Sequence, residues 1–318
     1  MVYKSLGSDV GQLDSNLESK SDEELLLGFL LALAAGGRKE KTLQIYEESI
    51  RMLSEFAGSL GLPGLATMDR THIRHWLTSL HQKGNKPSTV SVRYRSVSRF
   101  FNWCVEEGEL EDNPMDRVDA PRIPDTIQPY YLPHEVEAVV KAMSRVTPHI
   151  LRDGAIVMTL FDTGVRAAEL CGMEFEDLNL EEGTILVTGK ADKQRRVSFG
   201  QQTAHAIGRY LEIRRDQSEW LWLASTDKPL VVNGLRMTLR RRFSAAGVKF
   251  QGAHGYRRGF AMEYLAAGGQ EGDLKELGGW NNYAMVTRYA KANAGERAVI
   301  THKKLSPGDR LNVGQTGE

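Results

Sequence analysis

Between Asp119 and Pro129 the chain reads Asp-Ala-Pro-Arg-Ile-Pro-Asp-Thr-Ile-Gln-Pro. Each proline lacks the N–H that a helix needs and biases the residue before it toward extended backbone. No helix crosses such a stretch. It predicts an extended linker over 119–130 and divides the 318 residues into at least two folding units. The two sides differ in kind. Before the linker, apolar residues recur at spacings of three and four. After it, strict alternation also appears. The chain is therefore expected to be mainly α with a small β-sheet. A helical domain over 21–118 is followed by a mixed α/β domain over 131–302, with a polar flexible tail over 1–20 and a C-terminal tail over 303–318.

In the first half, Ser21-Asp-Glu-Glu reads as a capped helix start that runs to Ala35, where Gly36-Gly37 stops it. Leu43, Tyr46, Ile50 and Leu53 mark a second helix. A third covers Thr67–Leu80, entered through Asp69 or Thr71. A fourth starts at Pro87-Ser88-Thr89, with Val90, Tyr94, Val97, Phe101 and Cys104 on its apolar face and Arg95 and Arg99 opposite. His72 and His75 have no third partner in view. Solvated or DNA-facing histidines are a better reading than a metal pair.

In the second half, Leu132-Pro-His-Glu-Val starts a helix, with proline suited to its first turn. Leu151–Thr163 is a second helix, interrupted at Gly164 and resumed through Val165-Arg166-Ala-Ala-Glu169-Leu170. Ile185 and Val187 alternate, Gly189-Lys190-Ala-Asp-Lys193-Gln turns, and Val197 and Phe199 alternate again: a β-hairpin with a polar tip. Asn233–Ala246 is a basic amphipathic helix, and His254–Leu265 another helical run.

Net charge is zero, yet the charge is unevenly placed. From Arg70 to Val105 there is no acid, while Arg70, Arg74, Lys83, Lys86, Arg93, Arg95 and Arg99 occur. From Lys228 to Met262 the pattern repeats with Arg236, Arg240, Arg241, Arg242, Lys249, Arg257 and Arg258. Two such blocks suit two halves of a polyanion-binding surface; two solvated helix faces are the alternative. The only cysteines, Cys104 and Cys171, lie far apart, which fits a reducing compartment and excludes a four-cysteine zinc site. No secretory signal is evident, and the apolar run Leu25–Ala35 is too short to span a bilayer. A cytoplasmic, nucleoid-associated location without membrane contact follows as the expectation.

His254 and Arg257 stand three apart, on one face of a helix. Lys249, Arg257 and Arg258 lie around them with no acid between. An imidazole beside a guanidinium suits an anionic oxygen such as a phosphate. Tyr289 adds a phenol able to act as a nucleophile. On local spacing alone, a solvated helix face remains the commoner outcome.

The order of motifs is more specific. Thr163-Gly-Val-Arg166-Ala-Ala-Glu169-Leu170 precedes Gly189-Lys190, Lys193 and Arg195-Arg196-Val197. His254-Gly-Tyr-Arg257, Leu277-Gly-Gly-Trp280 and Tyr289 follow. Ahead of them come Thr42-Leu-x-x-Tyr46, Pro87-Ser-Thr, Phe100-Phe-x-Trp103 and Asn113-Pro114. In this order, over roughly 21–302, the chain resembles the tyrosine recombinases, the phage and transposon integrases with their Xer-like chromosome-resolving relatives.

The resemblance implies a SAM-like core-binding domain and a catalytic domain closing as a C-shaped clamp on double-stranded DNA. The function it implies is site-specific recombination or integration, through a 3′-phosphotyrosine and a free 5′-hydroxyl, with no cofactor and no metal. By the same resemblance Tyr289 is the nucleophile, with Tyr283 the competing tyrosine. Arg166 and Arg257 clamp the non-bridging oxygens, and Lys190 protonates the leaving 5′-oxygen, with Lys193 the rival. His254 takes the tyrosine proton or orients the phosphate. Trp280 donates its indole N–H or packs under the tyrosine, and Glu169 supports another site residue. Lys86, Arg93, Arg95, Arg99, Arg240 and Arg241 are the expected DNA contacts. The C-terminal segment, with Ala298, Val299, Ile300 and Leu305, is expected to pack on a neighbouring protomer in a tetramer on two DNA sites. Any helper DNA-bending protein is unspecified. The alternatives are a type IB topoisomerase-like relaxing enzyme and a non-catalytic DNA-binding relative.

Overall fold

The computed structural model describes residues 20–124, 128–189, 192–224, 228–292 and 294–311. The chain divides into two compact units, Met1–Asp125 and Thr126–Glu318. Of the tail expected over 1–20, only Lys20 is among the described residues, where it pairs with Glu109. Residues 125–127 of the expected linker and 312–318 of the expected C-terminal tail lie outside them.

The first unit consists of α1 (Asp22–Ala35), α2 (Glu40–Ser59), α3 (Arg70–Gln82) and α4 (Pro87–Glu106), with a short 3-10 turn at Leu65–Thr67. At the start of α1 the Ser21 hydroxyl accepts from the Glu24 N–H, and the Glu24 carboxylate accepts from the Ser21 N–H. This reciprocal pair satisfies two donors that a helix start leaves open. Asp69, not Thr71, caps α3, accepting from the Thr71 and His72 amides at 2.8 and 2.9 Å. His72 accepts from the Asp69 amide, and His75 meets Phe56 edge-on at 5.3 Å, so both histidines serve packing and capping.

Leu43, Ile50, Leu53, Val90, Val97, Phe101 and Cys104 are buried in one core. Phe29 of α1 meets Tyr46 and Phe100 edge-on at 5.4 Å. Each such pair adds about 1 kcal/mol beyond area burial. Tyr94 is half-buried and donates to the Val118 carbonyl at 2.8 Å, tying α4 to the chain that leaves it.

The second unit runs through α5 (Pro133–Lys141), α6 (Pro148–Thr163), α7 (Ala167–Cys171), β1 (Leu178–Asn179), β2 (Thr184–Thr188) and β3 (Gln194–Ser198). Then come α8 (Gln201–Ile213), α9 (Val232–Ala245), α10 (Ala253–Ala266), α11 (Glu271–Gly278), α12 (Tyr283–Ala292) and α13 (Ala294–Leu305). The strands form an antiparallel sheet in the order β1-β2-β3, with Ile185 opposite Val197 and Val187 opposite Arg195. Helix α6 supplies the middle of the core through Ile156, Val157 and Leu160.

Several expectations need correction. The helix does not resume at Val165: Gly164 closes α6 in the left-handed region at φ 60°, Arg166 is extended, and α7 begins at Ala167. Strand β1 and helices α8, α11, α12 and α13 are further elements; α8 carries a regular buried set, Thr203, Ile207 and Tyr210. The acid-free runs are not acid-free in space. Arg93 pairs with Glu48 at 2.5 Å and donates to Ser49 at 3.0 Å, and Arg99 pairs with Glu106 at 3.4 Å. Arg242 donates to the buried Asp153 at 2.7 Å, and Asp153 also takes two bonds from Arg152, fixing α9 to α6. By contrast Lys86, Arg95, Arg240 and Arg241 are exposed, with no ion pair among the described residues.

Among the described residues no helix is long and apolar enough to cross a membrane, and no group of three metal-binding side chains is gathered.

Candidate active site

Gly164 sets the site's first corner. Its φ of 60° favours glycine, and a Cβ there would stand 2.4 Å from the Phe260 ring. This turn ends α6 and delivers Arg166 to the start of α7. There the Arg166 N–H donates to Glu169 Oε2 at 2.8 Å and its guanidinium donates to Glu169 Oε1 at 2.6 Å. A further guanidinium bond reaches the Gly279 carbonyl at 3.0 Å. The Arg166 side chain stays 40% exposed, so it is held at its root and open at its side.

Arg257 comes from the first turns of α10 and is almost fully buried. It donates to the Gly164 carbonyl at 2.7 Å and the Gly278 carbonyl at 2.5 Å, and it lies over the Trp280 ring. Burial, reinforced by the nearby Arg166 charge, pulls its guanidinium down to about 9, which leaves it charged at neutral pH. Each terminal nitrogen carries two hydrogens and spends one on a carbonyl, so donors remain for an anion.

Tyr289 sits on α12 with its ring 6.1 Å from that of Trp280. Burial raises its phenol above the ordinary tyrosine value, opposed by the positive charges of Arg258, Arg257 and Arg288. The phenol is thus protonated at rest and needs an acceptor. His254, in the first turn of α10, keeps an exposed edge. Its pKa is lowered by burial of the rest of the ring and by Arg257, Arg258 and Arg166, so at neutral pH the imidazole is mostly neutral. Tyr283, the rival tyrosine, is exposed, and Lys275 lies 5.6 Å from its ring.

Glu169 is buried between two guanidiniums. Arg195 of β3 meets its carboxylate with two bonds, at 3.0 and 2.8 Å, beside the Arg166 pair. Burial alone raises a carboxyl pKa; here the bonds from Arg195 and Arg166 outweigh it and hold Glu169 at about 2. Lys190 lies outside the described residues. Next to it, the Gly189 N–H donates to the Lys193 carbonyl at 2.8 Å, and the Lys193 side chain is exposed.

Five residues singled out in the sequence thus meet in the second unit: Arg166, Glu169, Arg257, Trp280 and Tyr289, with His254 in their field. Lys86, Arg93, Arg95 and Arg99 lie on or at the start of α4, and Arg240 and Arg241 on α9. Arg195 was singled out only as part of a motif. Its signal was present: alternation places it on the inward side with Ile185, Val187 and Val197. A charge on an inward face requires a buried partner. Burial pushes the thiols of Cys104 and Cys171 up to about 12 and about 11, which makes both poor nucleophiles.

Comparisons with known proteins identify the family of the chain and its fold. The model of the phage integrase family matches residues 130–296, more than half of the chain, and that of the phage integrase N-terminal SAM-like domain matches 27–108. The tyrosine recombinase XerC of Salmonella typhi is 28% identical over 263 residues, covering 78% of this chain and 84% of that protein. The Tn1549 transposon integrase in complex with transposon right end DNA shares the fold at TM-score 0.76 and 18% identity, covering 90% of this chain and 99% of that one. A lambda integrase tetramer bound to a Holliday junction aligns at TM-score 0.69 and 20% identity, covering 86% and 78%. The chain belongs to the phage integrase family, the tyrosine-type site-specific recombinases.

Proposed function

We propose that this recombinase cuts duplex DNA by attack of the Tyr289 phenol oxygen on a backbone phosphorus. The observation that carries the reading is the meeting of Arg166, Arg257 and Tyr289 around the Gly278-Gly279 turn. A bond forms from the phenol oxygen to phosphorus while the bond to the 5′-oxygen breaks, leaving a 3′-phosphotyrosine. His254, mostly neutral, takes the phenol proton. The leaving 5′-oxygen takes a proton from Lys190, or from Lys193 as its alternative. Arg166 and Arg257 hold the two non-bridging oxygens, where charge concentrates in the transition state; fixed forked donors suit that task. A 5′-hydroxyl from a second strand then attacks the phosphotyrosine and reverses each step. The number of ester bonds is unchanged, so rejoining needs no nucleotide.

Exposed Lys86 and Arg95 in the first unit, and Arg240 and Arg241 in the second, are the proposed phosphate contacts. Strand exchange requires more than one protomer. On α13, Val299, Ile300 and Leu305 are each at least half exposed, an apolar set that a neighbouring protomer would cover. The similarity to an integrase seen as a tetramer supports four copies on two sites. The test is a nicked suicide duplex, selected as covalent adducts from a randomised-core library. The parent should form an adduct that Tyr289→Phe abolishes; an undiminished adduct in that variant moves the nucleophile elsewhere. Removing residues after Ala294 should leave cleavage measurable and abolish assembly beyond a DNA-bound dimer.

A further inference from the structure

Three consecutive carbonyls, those of Leu277, Gly278 and Gly279, accept hydrogen bonds from three arginines of three different elements. Arg195 Nε of β3 donates to Leu277 at 2.9 Å, Arg257 of α10 to Gly278 at 2.5 Å, and Arg166 at the start of α7 to Gly279 at 3.0 Å. The same three side chains converge a second time. Arg166 and Arg195 share the Glu169 carboxylate, and Arg257 is anchored by the Gly164 carbonyl two residues before Arg166.

Arg195 is the member of this set with all three nitrogens bonded inside the protein, each terminal nitrogen keeping one further N–H. Two of its nitrogens are committed to Glu169 and the third to Leu277. One flat side of its guanidinium lies under Gly279, where an added Cβ would stand 3.0 Å from Cζ, Nε and one terminal nitrogen. Gly279 itself sits at φ 61°, a second reason for glycine. With its side chain only 15% exposed and every nitrogen held from inside, Arg195 is built into the framework.

We propose that Arg195 is a positioning residue for the phosphate clamp: it fixes the Leu277–Gly279 carbonyls and the Glu169 carboxylate, and through them the spacing of Arg166 and Arg257. This rests on the reading of those two arginines as the clamp. Without Arg195, Glu169 keeps one guanidinium of two and the Leu277 carbonyl loses its donor, so the clamp loses its lateral support. Misplacement of about 1 Å at a reacting centre costs about 10²-fold in rate. Arg195 is the second residue of β3.

The experiment compares two forms of the selected suicide duplex, one with a normal scissile phosphate and one with a methylphosphonate there. The methylphosphonate lacks one charged oxygen and depends less on the clamp. Arg195→Gln is expected to slow single-turnover cleavage of the phosphate by about 100-fold. On the methylphosphonate the loss should be about threefold or less, with DNA affinity unchanged. An equal loss on both substrates means a general structural role and overturns the proposal, as does no loss on either. Should Arg195→Gln fail to fold, Arg195→Lys, which keeps a charge beside Glu169 but cannot span both its oxygens and the Leu277 carbonyl, is read in the same assay with the same two outcomes. Parent protein and Tyr289→Phe are run alongside. An adduct in the parent that is lost in Tyr289→Phe keeps the cleavage reading intact whatever Arg195 does, so the two failures are told apart.

Discussion

The Arg257 guanidinium carbon lies 4.0 Å from the centre of the Trp280 ring. The contact is a desolvated cation–π pair, worth about 2 kcal/mol. It fixes one face of the clamp arginine while carbonyls fix its edges. Trp280→Ala is expected to slow single-turnover cleavage about thirtyfold, the rate equivalent of that energy. Trp280→Phe, which keeps a smaller ring, should lose about threefold. DNA affinity should hold in both, as measured by a filter or gel-shift titration.

The pH profile follows from His254. Its pKa is lowered by burial and by three arginines, so the base form persists below the ordinary histidine range. Cleavage should rise with pH through a point below 6.5 and then level off. His254→Gln should remove that rising limb along with most of the rate. Single-turnover rates between pH 5 and 8 measure it.

Glu169 makes a stability prediction. Its folded-state pKa of about 2 lies below the ordinary 4.5, so its contribution is complete above 4.5 and is lost as pH falls from there toward 2. The span corresponds to about 3 kcal/mol. Glu169→Gln should lower the thermal midpoint at pH 7 and flatten its fall between pH 4.5 and 2. Calorimetry on parent and variant decides it.

The basic residues separate by their partners. Arg240 and Arg241 are exposed without an ion pair among the described residues, whereas Arg93 is committed to Glu48 and Ser49. Arg240→Ala and Arg241→Ala should each weaken DNA binding and reduce the slope of log affinity against log salt by about 1. Arg93→Ala should instead change the melting of the first unit and leave that slope nearly unchanged. Salt titrations of the variants on one duplex test this.

Much of the fold was legible because its signals are local. The Pro121–Pro129 stretch, the Ser21 cap, the apolar face of α4 and the alternation at Ile185 and Val187 each rest on neighbours in sequence. What was missed depends on distant partners. Nothing beside Arg93 announces Glu48, and nothing beside Arg242 announces Asp153. The extended backbone at Arg166 is imposed by the left-handed Gly164 and the Phe260 ring against it, which no helical period reveals. The site residues were readable as motifs, but the three-carbonyl framework joins Leu277, Gly278 and Gly279 to residues from 166, 195 and 257. Only folding brings those segments together.

The central claim is that Tyr289 becomes covalently joined to DNA. The most direct measurement is peptide mapping by mass spectrometry of the trapped parent adduct after nuclease digestion. A 3′-nucleotide attached to the peptide containing Tyr289, with fragment ions placing it on that ring, is the expected result. The same nucleotide on Tyr283 or on any other side chain would contradict the account.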